Sequence, residues 1–189
     1  MTTYDGRAFL AAVDQRYDVI LVDAYQNITI PFQMSSVEFF RMVRSHLTEN
    51  GVMVVNMNMR SDADDGINTW LSDTIASVYP SVRTVDVPGN TNRILFASMQ
   101  KLSNSSYQRA LEEIGTKDPL KGANLRAFLK QIPGKTLAYE GGDHILTDDH
   151  APVEVLGMRA IDQIIEEELA AHKQLYHDQG LQGVLDNIL

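Results

Sequence analysis

An α/β fold built on a parallel sheet is what this chain of 189 residues predicts, and three observations predict it. The stretch Tyr17-Asp18-Val19-Ile20-Leu21-Val22-Asp23 is a short apolar run between a helical pattern and a polar loop. Such a run reads as a strand buried on both faces, as in a parallel sheet. Helix and strand patterns then alternate through the first hundred residues in the order αβαβαββ, for which a parallel sheet with crossover helices is the natural solution. Finally, the last two strand patterns, residues 81–87 and 93–98, flank the turn Pro88-Gly89-Asn90, so an antiparallel hairpin ends the sheet.

Taken in order, residues 2–4 read as the tail of a strand and Asp5-Gly6 as a turn. Residues 7–15 place Phe9, Leu10 and Val13 on one helix face. After the strand at 17–22 comes a loop over 24–34 with Pro31 inside it. Ser35 or Ser36 can cap a helix over 37–47, and Ser35 with Glu38 has capping-box spacing. Its stripe is Phe39, Phe40, Val43 and Leu47, and Asn50-Gly51 is expected to close it in the left-handed manner. A second buried strand follows over 52–56, then an acidic loop over 61–66 and a helix from 67 to about 79, stopped by Pro80.

The second part differs. Short helices are expected over 105–114 and 124–132, then a loop from Gly141-Gly142, and a longer helix over 155–172. The tail from Gly180 forms an amphipathic turn or two. Two units follow: residues 1–100 as the sheet-bearing part and 101–189 as a helical extension packed on it.

Composition narrows the function classes. Apolar residues make up 44% of the chain, enough for a real core, and the formal charge is −9. Nucleic acid and anionic membranes both call for clustered cations, so neither is expected as a partner. The chain has no cysteine and its five histidines are scattered, which leaves no thiolate site and no metal-ligand spacing. No apolar run approaches a membrane span and no signal-like segment opens the sequence, so a cytoplasmic protein is expected.

Three places could carry chemistry. Asp23 ends the first buried strand, and ligands in open α/β sheets bind beyond the carboxyl ends of strands. A carboxylate there can accept hydrogen bonds from an amine or take its proton; the plainer reading is a loop cap. Asp5-Gly6 sits at another expected strand end, though Asp-Gly is also common turn chemistry. Asp148 and Asp149, before Ala151-Pro152, could line a pocket or bind a cation, or sit at a helix N-terminus where acids favour the macrodipole. His144 and His150 read as surface or loop histidines, and Met53, Met57 and Met59 as core.

The runs Asp5-Gly6-Arg7-Ala8-Phe9-Leu10, Tyr17 to Asp23, Ser36-Val37-Glu38-Phe39-Phe40 and Asn50-Gly51-Val52 together resemble spermidine synthase and its relatives, the polyamine aminopropyltransferases. Ile145-Leu146-Thr147-Asp148-Asp149-His150-Ala151-Pro152-Val153-Glu154 is similar to the closing motif of bacterial members. The resemblance implies a partial Rossmann-like, methyltransferase-type sheet and a transferase using decarboxylated S-adenosylmethionine, or S-adenosylmethionine in methyltransferase relatives, with no metal. It implies that Asp5 and Gly6 contact the nucleoside. It also implies that Asp23 promotes deprotonation of the attacking amine, and that Tyr25, Asp148 and Asp149 lie on the side of a small-molecule amine substrate. Where the family's pattern is Asp-Ser-Ser-Asp, this chain reads Asp23-Ala24-Tyr25-Gln26, without the second acid. That keeps methyl transfer to another small molecule as an alternative. The family's Gly-rich loop and ribose-binding acid belong upstream of Asp5. The expectation is therefore the C-terminal half of the transferase domain, inactive alone, with a non-catalytic interaction module as the third reading. The strand at 17–22 would then present an open edge, through which a homo-oligomer is expected.

Overall fold

The structure, a computed structural model, describes residues 5–24, 30–57, 65–87, 92–117, 127, 130 and 135–188. Among the described residues, five strands form one sheet in the order β1-β2-β4-β3-β5. They are β1 (Tyr17–Val22), β2 (Leu47–Met57), β3 (Ser81–Asp86), β4 (Arg93–Ser98) and β5 (Thr136–Ala138). β1 and β2 are parallel, whereas β4 runs antiparallel to both β2 and β3. The hairpin is therefore present, but its second strand inserts beside β2 and leaves β3 outside it. The helices are α1 (Gly6–Ala12), α2 (Val37–Ser45), α3 (Ile67–Ala76), α4 (Asn104–Lys117) and α5 (Val153–Ile188).

Strand alternation decides where the core lies. Ile20, Val22, Met53, Val55, Leu95, Ala97, Val82 and Thr84 share one face through the strand register. α2 and α3 pack there with Phe39, Phe40, Val43, Leu71 and Ile75, all but fully buried. Each such side chain contributes about 1.5–3 kcal/mol by leaving water. The closing segment joins the same core through Leu146, Val153, Leu156 and Ala160.

Several expectations are corrected. β1 is not buried on both faces. Among the described residues it is the last strand of the sheet, and Val19 and Leu21 are 61% and 65% exposed. Asn50-Gly51 does not close α2, which ends at Ser45 with His46 as its cap. Both residues lie within β2, where a two-residue step from Tyr17 to Val19 faces a five-residue step from Leu47 to Val52. The extra backbone loops back on itself, and a Cβ at Gly51 would stand 3.0 Å from the Leu47 Cβ. Glycine is needed there for close approach. Ser36 is the N-cap of α2, accepting from the Phe39 N–H, while Ser35 donates to the Phe32 carbonyl. α5 starts at Val153 and runs to Ile188, broken only at Gly180, where φ is 70°. β5 was not foreseen. The strand tail at 2–4 lies outside the described residues, as do Met59 and most of the expected helix at 124–132.

Candidate active site

Asp23 follows directly from β1, and register sets its neighbour. Val22 pairs with Val55, so the next residues, Asp23 and Asn56, meet at the carboxyl ends of their strands. The Asn56 side-chain amide donates to Asp23 Oδ1 at 3.0 Å, and Asn92, just before β4, donates to Asn56 Oδ1 at 2.8 Å. The second bond fixes which way the Asn56 amide points. Asp23 itself is exposed. The result is an accessible carboxylate with one oxygen held by an amide and, among the described residues, no hydrogen bond to the other. Sequence reading missed Asn56 and Asn92, and only strand register could have found them.

Asp5 sits at the start of α1 as its N-cap, accepting from the Ala8 N–H at 2.8 Å through Oδ1. Its position follows from helix-end chemistry, in which a short side-chain oxygen satisfies an orphan N–H. Gly6 opens the helix close to Met34, whose terminal methyl carbon would be 3.3 Å from a Cβ there. Tyr25 lies outside the described residues.

The closing motif is bound down by carboxylates. Asp148 receives both terminal nitrogens of Arg7, at 2.7 and 2.5 Å, and the Ser36 hydroxyl. The hydrogen bond from Arg7 holds the Asp148 carboxyl below its ordinary range and raises the guanidinium in turn. The Asp148 N–H donates to Glu38, and the Val37 N–H donates to the Leu146 carbonyl. α1, α2 and the motif thus meet at one bidentate pair. Asp149, next to it, is exposed. Among the described residues, no hydrogen bond joins this cluster to the Asp23 group.

A second carboxylate was missed altogether. Asp73, on α3, is only 2% exposed. It accepts from the Tyr139 hydroxyl (2.6 Å), the Gly142 N–H (2.8 Å), the His144 N–H (3.2 Å) and His144 Nδ1 (2.9 Å). Burial pushes its carboxyl up, but these bonds outweigh burial and hold it below the ordinary range. Burial and the same hydrogen bond raise the Tyr139 phenol. Next to it, the Thr74 hydroxyl accepts from the Leu146 N–H at 2.9 Å. His144 is therefore not a plain loop histidine. Its ring is bound to Asp73 and lies 4.9 Å from the Trp70 ring.

No family model matches the chain. A probable polyamine aminopropyl transferase of Bifidobacterium longum is 50% identical over 202 aligned positions, covering 98% of this chain and 44% of that protein. The chain thus spans less than half the length of this relative. Human methyltransferase-like protein 13, solved in complex with SAH, matches with a TM-score of 0.50 at 22% identity, covering 75% of this chain and 61% of that one. A probable spermidine synthase from Corynebacterium glutamicum gives a TM-score of 0.49 at 22% identity, over 60% of this chain and 44% of that one. The human structure supports the methyltransferase-type α/β fold, here as a partial sheet that carries the antiparallel β3–β4 pair and, beyond it, β5. By its identity to the Bifidobacterium transferase along almost all of its length, the chain belongs to the spermidine synthase-like, polyamine aminopropyltransferase family.

Proposed function

We propose that this chain supplies the amine-activating part of an aminopropyl transfer site, with Asp23 as the catalytic carboxylate. The observation that carries this is the exposed Asp23 carboxylate at the strand end, held through one oxygen by Asn56. In this reading a protonated amine gives its proton to Asp23. The freed nitrogen lone pair then attacks the propyl carbon next to the sulfonium of decarboxylated S-adenosylmethionine. The carbon–sulfur bond breaks, its electrons stay on sulfur, and methylthioadenosine leaves. General-base help of this kind is worth roughly 10²–10⁴ in rate. Asp5 has one carboxylate oxygen on the Ala8 N–H, which leaves the other for the adenine amino group, and Gly6 lets the helix start lie close to the nucleoside. Since Arg7 neutralises Asp148, attraction of a polyammonium substrate is assigned mainly to Asp149, with Tyr25 as a further substrate-binding residue.

The 189 residues contain no Gly-rich nucleoside loop, so the chain alone is expected to be inactive. The remaining sequence of the relative would have to complete the site. A chimera tests this, with the chain replacing the matched segment of the Bifidobacterium protein. Given decarboxylated S-adenosylmethionine and a diamine, it should release methylthioadenosine and an aminopropylated amine. A methylated product from S-adenosylmethionine would favour the second reading, which the absent second acid after Asp23 supports.

A small-molecule amine and a cytoplasmic setting fit this reading, and no helix among the described residues is long and apolar enough to cross a membrane. Self-association through the β1 edge, which no described strand covers, belongs to the same proposal: the outer N–H and C=O groups of an edge strand form a template for a further strand.

A further inference from the structure

α5 touches the core only at its start. Val153, Leu156 and Ala160 are buried, and after Ala160 the helix runs on with Ile165, Leu169 and Tyr176 exposed. Val155, Met158, Ile165, Leu169 and Tyr176 are 47–63% exposed. With Asp162 and His172 they occupy every position of an alternating three-and-four spacing: 155, 158, 162, 165, 169, 172, 176. This is the spacing of a coiled-coil a/d seam over three heptads, with Asp162 and His172 as its two polar positions. At 100° per residue it lies on the side of α5 opposite the buried Val153, Leu156 and Ala160. An isolated helix of this kind is marginal in water without a partner.

The flanking charges say what the partner is. Reading Val155, Asp162, Leu169 and Tyr176 as a positions puts Glu154 and Glu168 at g, and Arg159 and Lys173 at e. In a parallel, in-register pair each g residue meets the e residue five positions on in the other helix. Glu154 then faces Arg159, and Glu168 faces Lys173, both of opposite charge and each occurring twice by symmetry. The remaining pair, Ile161 with Glu166, brings no like charges together. Arg159 lies 4.0 Å from the exposed Asp65 in the single chain, a separation loose enough to give way. Asp162 is the one acid in the seam; in the in-register pair it meets its own copy, a like-charge contact that costs stability. Gly180, in the left-handed region, ends the straight run just past Tyr176.

We propose that α5 is a homodimerisation element, pairing with α5 of a second copy as a parallel two-stranded coiled coil through residues 155–176. This contact is distinct from the β1 edge and does not depend on the transferase reading.

The chain has no native cysteine, so single cysteines report the geometry directly. In a parallel in-register pair Leu169 faces its own copy, and Leu169→Cys should oxidise to a cross-linked dimer. Gln174→Cys, on the far side of the helix, should cross-link more slowly by about an order of magnitude or more. Light scattering at micromolar concentration should give a dimer that Ile165→Glu with Leu169→Glu converts to monomer. Circular dichroism should keep the sheet signal, because both residues are exposed. A monomeric wild-type chain would overturn the proposal. So would equal cross-linking at positions 169 and 174, or a dimer that survives the double change and dissociates with Leu21→Lys.

Discussion

Asp73 shows how one side chain can hold a segment that makes little secondary structure of its own. Residues 139–144 contribute a hydroxyl, two backbone N–H groups and an imidazole to its two oxygens. Asp73→Ala should cost about 1.5–3 kcal/mol, the usual worth of hydrogen bonds to a charged group, read as a lower urea midpoint. Because its folded value is depressed, the stabilisation is complete above about pH 4 and is lost as pH falls through that lower folded value. The acid limb of a stability–pH profile should therefore flatten in the variant. Nothing in the sequence marks this residue, since an acid on a helix next to Ser72 and Thr74 reads as surface. Its burial is set by a loop about seventy positions away.

His46 sends stability the other way with pH. Its Nδ1 lies 2.9 Å from the Met42 carbonyl and its Nε2 3.0 Å from the Val13 carbonyl. A neutral imidazole can donate to only one of them, so the two acceptors favour the cation and raise the group, Met42 first. The cation also sits at the C-terminus of α2, where positive charge is worth about 0.3–1 kcal/mol. With the folded value raised, this contribution is present below about pH 6.5 and fades as pH climbs through the folded value. His46→Gln should remove that alkaline slope, checked by denaturation between pH 6 and 8. An NMR titration midpoint for His46 at or below 6.5 would contradict it.

At the scale of elements, the strands were legible wherever alternation or a bounded apolar run existed, and β1 was found to the residue. Its environment was not, because a run of four apolar residues is the same string whether one face or both are covered. Only the sheet order leaves Val19 and Leu21 open. These two and Val52, Val54, Phe96 and Tyr107 border an apolar face, most of them lining a groove of about 510 Å³. If β1 pairs with another strand through its edge, Leu21→Lys should lower association at micromolar concentration, measured by light scattering. Unchanged association would clear the edge of that role. The turn at Asn50-Gly51 was misplaced for a different reason. Asn-Gly favours any sharp turn, and a loop inside β2 uses it as readily as a helix end does. Gly51→Ala should cost about 1–3 kcal/mol, since Leu47 and the Thr48 backbone would have to move.

At the scale of the molecule, the candidate site was half legible. Asp23 lies at the end of β1, where strand-end reasoning put it, whereas Asp5, read as a turn at another strand end, is the N-cap of α1. Asp148 is tied into the scaffold, and the partners that orient Asp23 come from strands whose register no local pattern reveals. The chain covers 44% of its Bifidobacterium relative, so the Asp23 carboxylate is proposed as one side of a crevice completed by the rest of that length. The measurement that tests this most directly is single-turnover release of methylthioadenosine by the chimera, with and without Asp23→Asn. The variant should stay folded and bind the nucleoside, while the rate falls roughly 10²–10⁴-fold. Asn56→Ala should give a smaller loss. Near-wild-type release from the Asp23 variant would contradict the assignment of Asp23 as the amine-activating carboxylate.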